Sequence, residues 1–143
     1  MDWMWVLLVA VRALSPAPDD RWATTLNGLD RVRAEAFATA DPSRLGDVYA
    51  PGSTGERRDA AVIASYEQRG GRVVGAELRI IDCRVVRSTD QQAQLEVVDR
   101  LGPAHVVWDD GTTTDLPRDR ASRRLVVLRR TDEGWRIAGS RLR

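Results

Sequence analysis

The chain has 143 residues and a formal net charge of +1, with 21 acidic side chains balanced by 22 basic ones, all of them arginine. This length suits one ordinary domain with one hydrophobic core and is too short for two. The near-neutral charge argues against a dedicated nucleic-acid-binding protein, which normally has a clear basic excess. Because there is one cysteine, Cys83, and one histidine, His105, an intrachain disulfide and a Cys/His zinc cluster are excluded. We expect no metal site and no cofactor.

The chain starts with an apolar run at residues 3–11. The run is too short to span a bilayer, which takes about 20 apolar residues, and Asp2 stands where an export signal usually has a positive charge. Three alternatives stay open: an export signal or anchor, the end of a longer membrane segment, and a helix docked on the domain. Membrane association through residues 3–11 is therefore one expectation, and the compartment, cytoplasmic or membrane-associated and exported, is left open.

The prolines at positions 16 and 18 predict a linker after this run. We therefore divide the chain into an N-terminal segment at residues 1–20 and a domain at residues 21–143.

Helical spacing of apolar residues predicts a first helix from about residue 21, capped by Asp19 or Asp20. It should end at Asp41, because Pro42 disfavours helical geometry in the residue before it. Its apolar stripe consists of Trp22, Leu26, Leu29, Val32, Ala36 and Phe37.

Two more helices are predicted before the strands begin. A short one starts at Pro42 and has Leu45, Val48 and Tyr49 on its apolar side. A third follows the capping-box pattern at residues 53–56 and ends at Gly70 and Gly71, where a left-handed turn is accessible. Its apolar anchors are Val62, Ile63 and Tyr66.

From residue 72 onward the apolar residues alternate with period two, which predicts strands. The alternation changes parity at Ile81, as a β-bulge would cause in one long bent strand. The next strand carries Ala93, Leu95, Val97, Asp99 and Leu101 on one face. Further strands are predicted at residues 104–108, 122–130 and 135–142, separated by turns that contain glycine, proline or aspartate.

This order of elements resembles the nuclear transport factor 2-like (SnoaL-like) superfamily. The resemblance rests on an alanine-rich first helix ending in Ala-Asp-Pro at 40–42, on Tyr66 in the third helix, and on the terminal Gly-Trp-Arg-Ile at 134–137. It covers residues 21–143 and is strongest to small actinobacterial proteins and to domains that follow a single membrane anchor. It implies an α+β cone of three N-terminal helices packed on a curved antiparallel sheet with a cavity between them. The superfamily contains enzymes and binding domains alike, so the fold does not select a function.

Asp99 is the candidate catalytic residue, because its strand parity directs the carboxylate towards the apolar face. A carboxylate in an apolar cavity has a raised pKa and can act as a general base. Tyr49 and Tyr66 could polarise a substrate oxygen, and His105 could carry a proton. The alternative, which we favour from the sequence, is that Asp99 lies near a strand end, pairs with an arginine at the surface and has a lowered pKa.

Other side chains have a structural interpretation beside a functional one. The expected cavity lining comprises Trp22, Leu26, Tyr66, Leu78, Val97, Trp108 and Trp135. Cys83 has the apolar parity and is expected to be a small buried hydrophobic residue. The arginines between residues 118 and 130 could bind anionic groups, but the interleaved Asp115, Asp119 and Asp132 favour an ion-paired rim.

Two functions remain open. The first is a non-catalytic domain that binds a small ligand or another protein. The second is a cofactor-independent enzyme of isomerase, dehydratase or cyclase type that uses Asp99 as its base. The partners considered are a small apolar ligand, a second copy docked through the sheet, and a membrane, whereas nucleic acid is not expected.

Overall fold

The computed structural model describes residues 18–143, with side chains from residue 20 onward. The apolar run at residues 3–11 lies outside the described residues. Two α-helices, one 3-10 helix and seven strands follow one another. They are α1 (Pro18–Ala38), the 3-10 helix (Pro42–Asp47), α2 (Thr54–Gln68), β1 (Gly71–Val74), β2 (Leu78–Ser88), β3 (Gln92–Leu101), β4 (His105–Trp108), β5 (Thr113–Asp115), β6 (Ser122–Thr131) and β7 (Gly134–Leu142). Between residues 18 and 143, no helix is long and apolar enough to cross a membrane.

The helical region confirms an α+β architecture, but only two of the three predicted helices are α-helical. Helix α1 starts at Pro18, a few residues before the predicted start, because proline suits the first turn. The second helix is a 3-10 segment, and the chain after it runs along the edge of β7. There the Ala50 amide donates to the Ile137 carbonyl at 2.8 Å. The predicted cap of the third helix is confirmed, since the Ser53 hydroxyl accepts from the Glu56 amide at 3.3 Å.

The strands form two antiparallel sheets rather than one. One has the order β1-β4-β5, and the other has the order β2-β3-β6-β7. The predicted long strand is split because the backbone turns at Gly75, whose φ of 82° lies in the left-handed region. The predicted bulge in β2 is confirmed by a register shift between Ile80 and Asp82. Strand β5 was not predicted, because its residues are polar and exposed and show no apolar alternation.

The four-stranded sheet has an inner face that packs on α1 and an outer face that points away from the helices. The inner face contributes buried Leu95, Val97 and Leu128, and α1 contributes its predicted stripe, of which Trp22, Leu26, Leu29, Ala36 and Phe37 are buried. Because strand side chains alternate, the same strands place a second, independent set of residues on the outer face.

Candidate functional site

A crevice of about 70 Å³ lies between α1 and the inner face of the four-stranded sheet. Its walls are mostly aliphatic, with four charged side chains among them. These four, Asp30, Arg33, Asp99 and Arg124, are called the ionic cluster below. The lining residues are Leu26, Asp30, Arg33, Leu78, Ile80, Val97, Asp99, Arg124, Val126, Ile137 and Ser140.

Asp99 lies on the inner face and is almost fully buried, with 4% of its surface exposed. Its Oδ1 atom accepts from Nε of Arg124 at 3.1 Å, and Nη2 of the same guanidinium lies 3.1 Å away as an ion pair. Burial raises the pKa of the Asp99 carboxyl group, and Arg124 offsets only part of that rise. The predicted inward orientation is therefore present. The alternative that we favoured from the sequence, a surface pair with a lowered pKa, is wrong, although the cross-strand arginine partner exists.

Asp30 joins α1 to the sheet. Its Oδ2 atom accepts from the Leu78 amide at 2.8 Å, at the start of β2. Burial raises the pKa of Asp30 to about 6, although the Leu78 amide and Arg33 favour the charged form. Its Oδ1 atom lies 3.9 Å from Nη1 of Arg33, and neither atom has a hydrogen bond within residues 20–143. The crevice thus contains one acceptor and one donor that form an ion pair with each other but no hydrogen bond.

Arg33 is held from its other side by α2. Its Nε and Nη2 atoms donate to the two carboxylate oxygens of Asp59 at 2.6 Å and 3.2 Å, and the Tyr49 hydroxyl donates to Asp59 Oδ2. Burial favours neutral arginine, but the bond to Asp59 outweighs it and raises the pKa of Arg33. Burial also raises the pKa of the Tyr49 phenol. Tyr49 therefore supports a structural ion pair.

The four residues proposed for catalysis lie in separate surroundings. Asp99 lines the crevice, whereas Tyr49 is bonded to Asp59. Tyr66 lies on α2 with the Arg69 guanidinium 4.7 Å above its ring. His105 lines a different groove. The structure does not bring these four side chains together. Tyr49 follows the 3-10 helix and donates to Asp59, whereas Tyr66 lies on α2.

The proposed cavity lining divides in the same way. Leu26, Leu78 and Val97 line the crevice. Trp22 and Trp135 pack edge to face, with ring centroids 4.9 Å apart, and fill the space beside it. Trp108 lies in the other sheet, where its Nε1 donates to Thr114 Oγ1 at 2.9 Å, and Tyr66 lies outside the crevice on α2.

Sequence reasoning did not single out Asp30, Arg33 or Asp59. One signal was available: Asp30 and Arg33 lie four and seven residues after Leu26, so they share its helix face. Among the described residues, no group of three His, Cys, Asp or Glu side chains could hold a metal ion.

An open groove of about 550 Å³ lies where the two sheets meet. It contains His105, together with Arg79, Arg100 and Arg118. The Asp119 carboxylate in this groove accepts from the Leu101 amide at 2.8 Å. The predicted pairing of the 118–130 arginines with Asp115, Asp119 and Asp132 is wrong for residues 20–143. Arg123 and Arg124 pair instead with Glu96 and Asp99 of β3, since strand register decides which charges meet.

Comparison with known proteins supports the fold. No family model and no curated protein matches the sequence. The intermembrane-space region of the chloroplast protein ARC6 matches at 16% identity and a TM-score of 0.62, covering 89% of this chain and 98% of that one. A Streptomyces avermitilis protein described as a dehydratase of the NTF2-like family matches at 16% identity and 0.51, covering 85% and 95%. A Catenulispora acidiphila protein in complex with S-DNPA matches at 12% identity and 0.52, covering 86% and 92%. The chain has the nuclear transport factor 2-like fold.

Proposed function

We propose that the chain is a non-catalytic protein-interaction domain of this fold. The main support for this proposal is the small volume of the crevice between α1 and the four-stranded sheet. The crevice measures about 70 Å³, whereas pockets for drug-sized ligands measure roughly 300–1,000 Å³. The small apolar ligand considered from the sequence does not fit this volume. The larger groove of about 550 Å³ is open and lined by charged side chains, among them Arg79, Arg100 and Asp119, so it suits a polar partner surface better than an apolar ligand.

The ionic cluster supports the same proposal. Asp99 is engaged by Arg124, and Arg33 is engaged by Asp59. A general base must approach its substrate within hydrogen-bond reach. Asp99 would first have to release Arg124, which would leave a half-buried guanidinium without its counter-charge. The cluster acts as a link between α1, α2 and the sheet.

The proposal includes a position next to a membrane, reached through residues 3–11. Its support is the apolar run in the sequence and the match to an intermembrane-space region. Fractionation of cells that express the full chain, or a chain starting at Pro18, tests this part. We expect the full chain with the membranes and the shorter one, still folded, in the supernatant. Equal distribution of the two chains would contradict it.

Native mass spectrometry of the purified full chain tests the non-catalytic assignment. The expected mass is that of the polypeptide alone. A tightly bound small molecule that persists through purification would contradict the assignment.

A second candidate, an enzyme with Asp99 as general base, is favoured by one observation. Asp99 and Asp30 both line the crevice with raised pKa values. The Streptomyces avermitilis match, described as a dehydratase of the NTF2-like family, supports this candidate. If a small molecule co-purifies with the chain and is lost from Asp99→Asn, this candidate replaces the first.

A further inference from the structure

The outer face of the four-stranded sheet carries a large positive excess. Strand register assigns to this face Arg79, Arg84, Arg87, Arg100, Arg123, Arg129, Arg136 and Arg141. Arg143 joins them, because its Nη1 lies 3.0 Å from Oε2 of outward-facing Glu96. Among the described residues, register places two carboxylates there, Asp82 and Glu96, and Glu133 of the β6–β7 turn lies 3.9 Å from Arg136. Nine arginines therefore face three carboxylates, although the whole chain carries only +1.

This arrangement is unfavourable for the free chain. Arg79 lies directly opposite Arg100, and Arg129 lies directly opposite Arg136. Like charges directly opposite each other on neighbouring strands destabilise a sheet. Within residues 20–143, no carboxylate forms an ion pair with the following arginines: Arg79, Arg87, Arg100, Arg129 and Arg141. The described residues do not neutralise this face by themselves.

The centre of the face is ordered by Glu96. Arg84 Nη2 lies 3.0 Å from Glu96 Oε1, and Arg123 Nη1 lies 3.6 Å from the same oxygen. Arg143 binds the other oxygen. A guanidinium has five N–H donors, so each arginine that Glu96 holds keeps donors for a second carboxylate. Because Glu96 holds these guanidinium groups in place, they are suited to bidentate hydrogen bonds with a second carboxylate.

Apolar side chains lie among these arginines. Ile81 and Val86, at the two bulges of β2, are 59% and 55% exposed, and partly buried Val127 and buried Leu125 lie between the arginines of β6. Arginine is enriched at protein–protein interfaces, and apolar side chains form their cores. The outward positions of the four described strands carry no aromatic side chain, which single-stranded nucleic acid would need for stacking.

We propose that the outer face of the four-stranded sheet binds a carboxylate-rich segment of a partner protein. The inference rests on the proposed interaction function and names the chemistry of the partner. A second copy of this chain is not the occupant, because docking face to face would oppose two surfaces of the same positive charge.

The test is a titration of the full chain into fluorescently labelled poly-L-glutamate at low salt, followed by anisotropy. We expect saturable binding that weakens as salt rises. Arg84→Gln/Arg123→Gln should weaken it about tenfold, as expected for a loss of about 1.4 kcal/mol. Arg84→Lys/Arg123→Lys should weaken it several-fold, because lysine keeps the charge and loses the fork. The control Arg31→Gln/Arg58→Gln removes two exposed charges from the helices and should change nothing.

Three results would overturn the inference. They are equal binding by the lysine variant and the wild type, equal loss in the helix control, and tighter binding to phosphatidylserine vesicles or duplex DNA than to polyglutamate. A mass spectrum of the same sample separates the two proposals. If polyglutamate does not bind and the chain carries no small molecule, the inference fails and the interaction function stands. If a small molecule is bound and polyglutamate is not, both fail.

Discussion

The two faces of the four-stranded sheet differ in whether their charged side chains have counter-charges. On the inner face, Asp99 is bonded to Arg124, and Asp30 lies beside Arg33, which is bonded to Asp59. On the outer face, nine arginines face three carboxylates, and five of the nine form no ion pair within residues 20–143. The same strand carries both patterns, since β3 alternates between buried Asp99 and outward Glu96.

Desolvation explains the difference. A buried charge without a partner costs several kcal/mol, so an inward ionic group persists only with a counter-charge or a shifted pKa. An exposed arginine remains hydrated and tolerates the lack of a partner. The inner charges therefore stabilise the fold, and the outer charges remain available to another molecule.

The largest expected effect on stability comes from removing one of the paired charges on the inner side of the sheet. Asp59→Ala leaves the buried Arg33 guanidinium without its counter-charge and Tyr49 without its acceptor, and it should lower the free energy of unfolding by about 3–5 kcal/mol. Urea denaturation measures this change, and Asp82→Ala on the outer face is the control. A loss below about 1 kcal/mol would make the pair no stronger than a surface ion pair.

Trp135 tests the packing beside the crevice. From the sequence, full burial would give Trp135→Ala a cost of about 3–5 kcal/mol. The side chain is only partly buried, although it packs edge to face on Trp22. We therefore expect a loss of about 2–3 kcal/mol in urea denaturation, with the highly exposed Leu142→Ala as a near-neutral control. No change in the free energy of unfolding would show that the Trp135 side chain is exposed at the surface.

The pH dependence of stability tests the environment of the buried Asp30 carboxyl group. Its pKa is raised to about 6 in the folded state, so the folded chain binds more protons than the unfolded chain between about pH 4 and pH 6. Wild-type stability should fall across this window relative to Asp30→Asn, by about 2 kcal/mol from this group. Denaturation of both proteins at pH 4 and at pH 7 measures the difference. A constant difference between them would contradict the raised pKa.

Asp99 should show the same sign with a smaller effect, because Arg124 contacts it directly. Burial raises its pKa, so wild-type stability relative to Asp99→Asn should fall as pH rises above the unfolded value. If the substitution becomes more destabilising as pH rises, then Arg124 outweighs burial and the pKa is lowered.

Much of the fold could be predicted from local pattern. The apolar stripe of α1, the alternation in β3 and the bulge at Ile81 follow from side-chain periodicity, which the backbone geometry imposes. The split into two sheets depends on the turn at Gly75, and a glycine in a sequence does not reveal the sign of its φ.

The site was harder to predict because its contacts are long-range. Asp59 meets Arg33 only when α2 packs against α1, 26 residues later in the chain. The basic face was hidden for a different reason. The net charge of the whole chain is close to zero and says nothing about how charges are distributed. Only the register of the four strands shows which arginines lie on the same surface.

The central claim is that the outer face keeps positive charge that the free chain does not neutralise. The most direct measurement is the free energy of unfolding of Arg100→Gln against wild type at low and at high salt, with Arg31→Gln as control. Because Arg100 lies opposite Arg79, the substitution should stabilise the chain by about 0.2–1 kcal/mol at low salt. Salt should abolish the gain. A loss of stability at low salt would show that Arg100 is already neutralised within the chain, and would contradict the account.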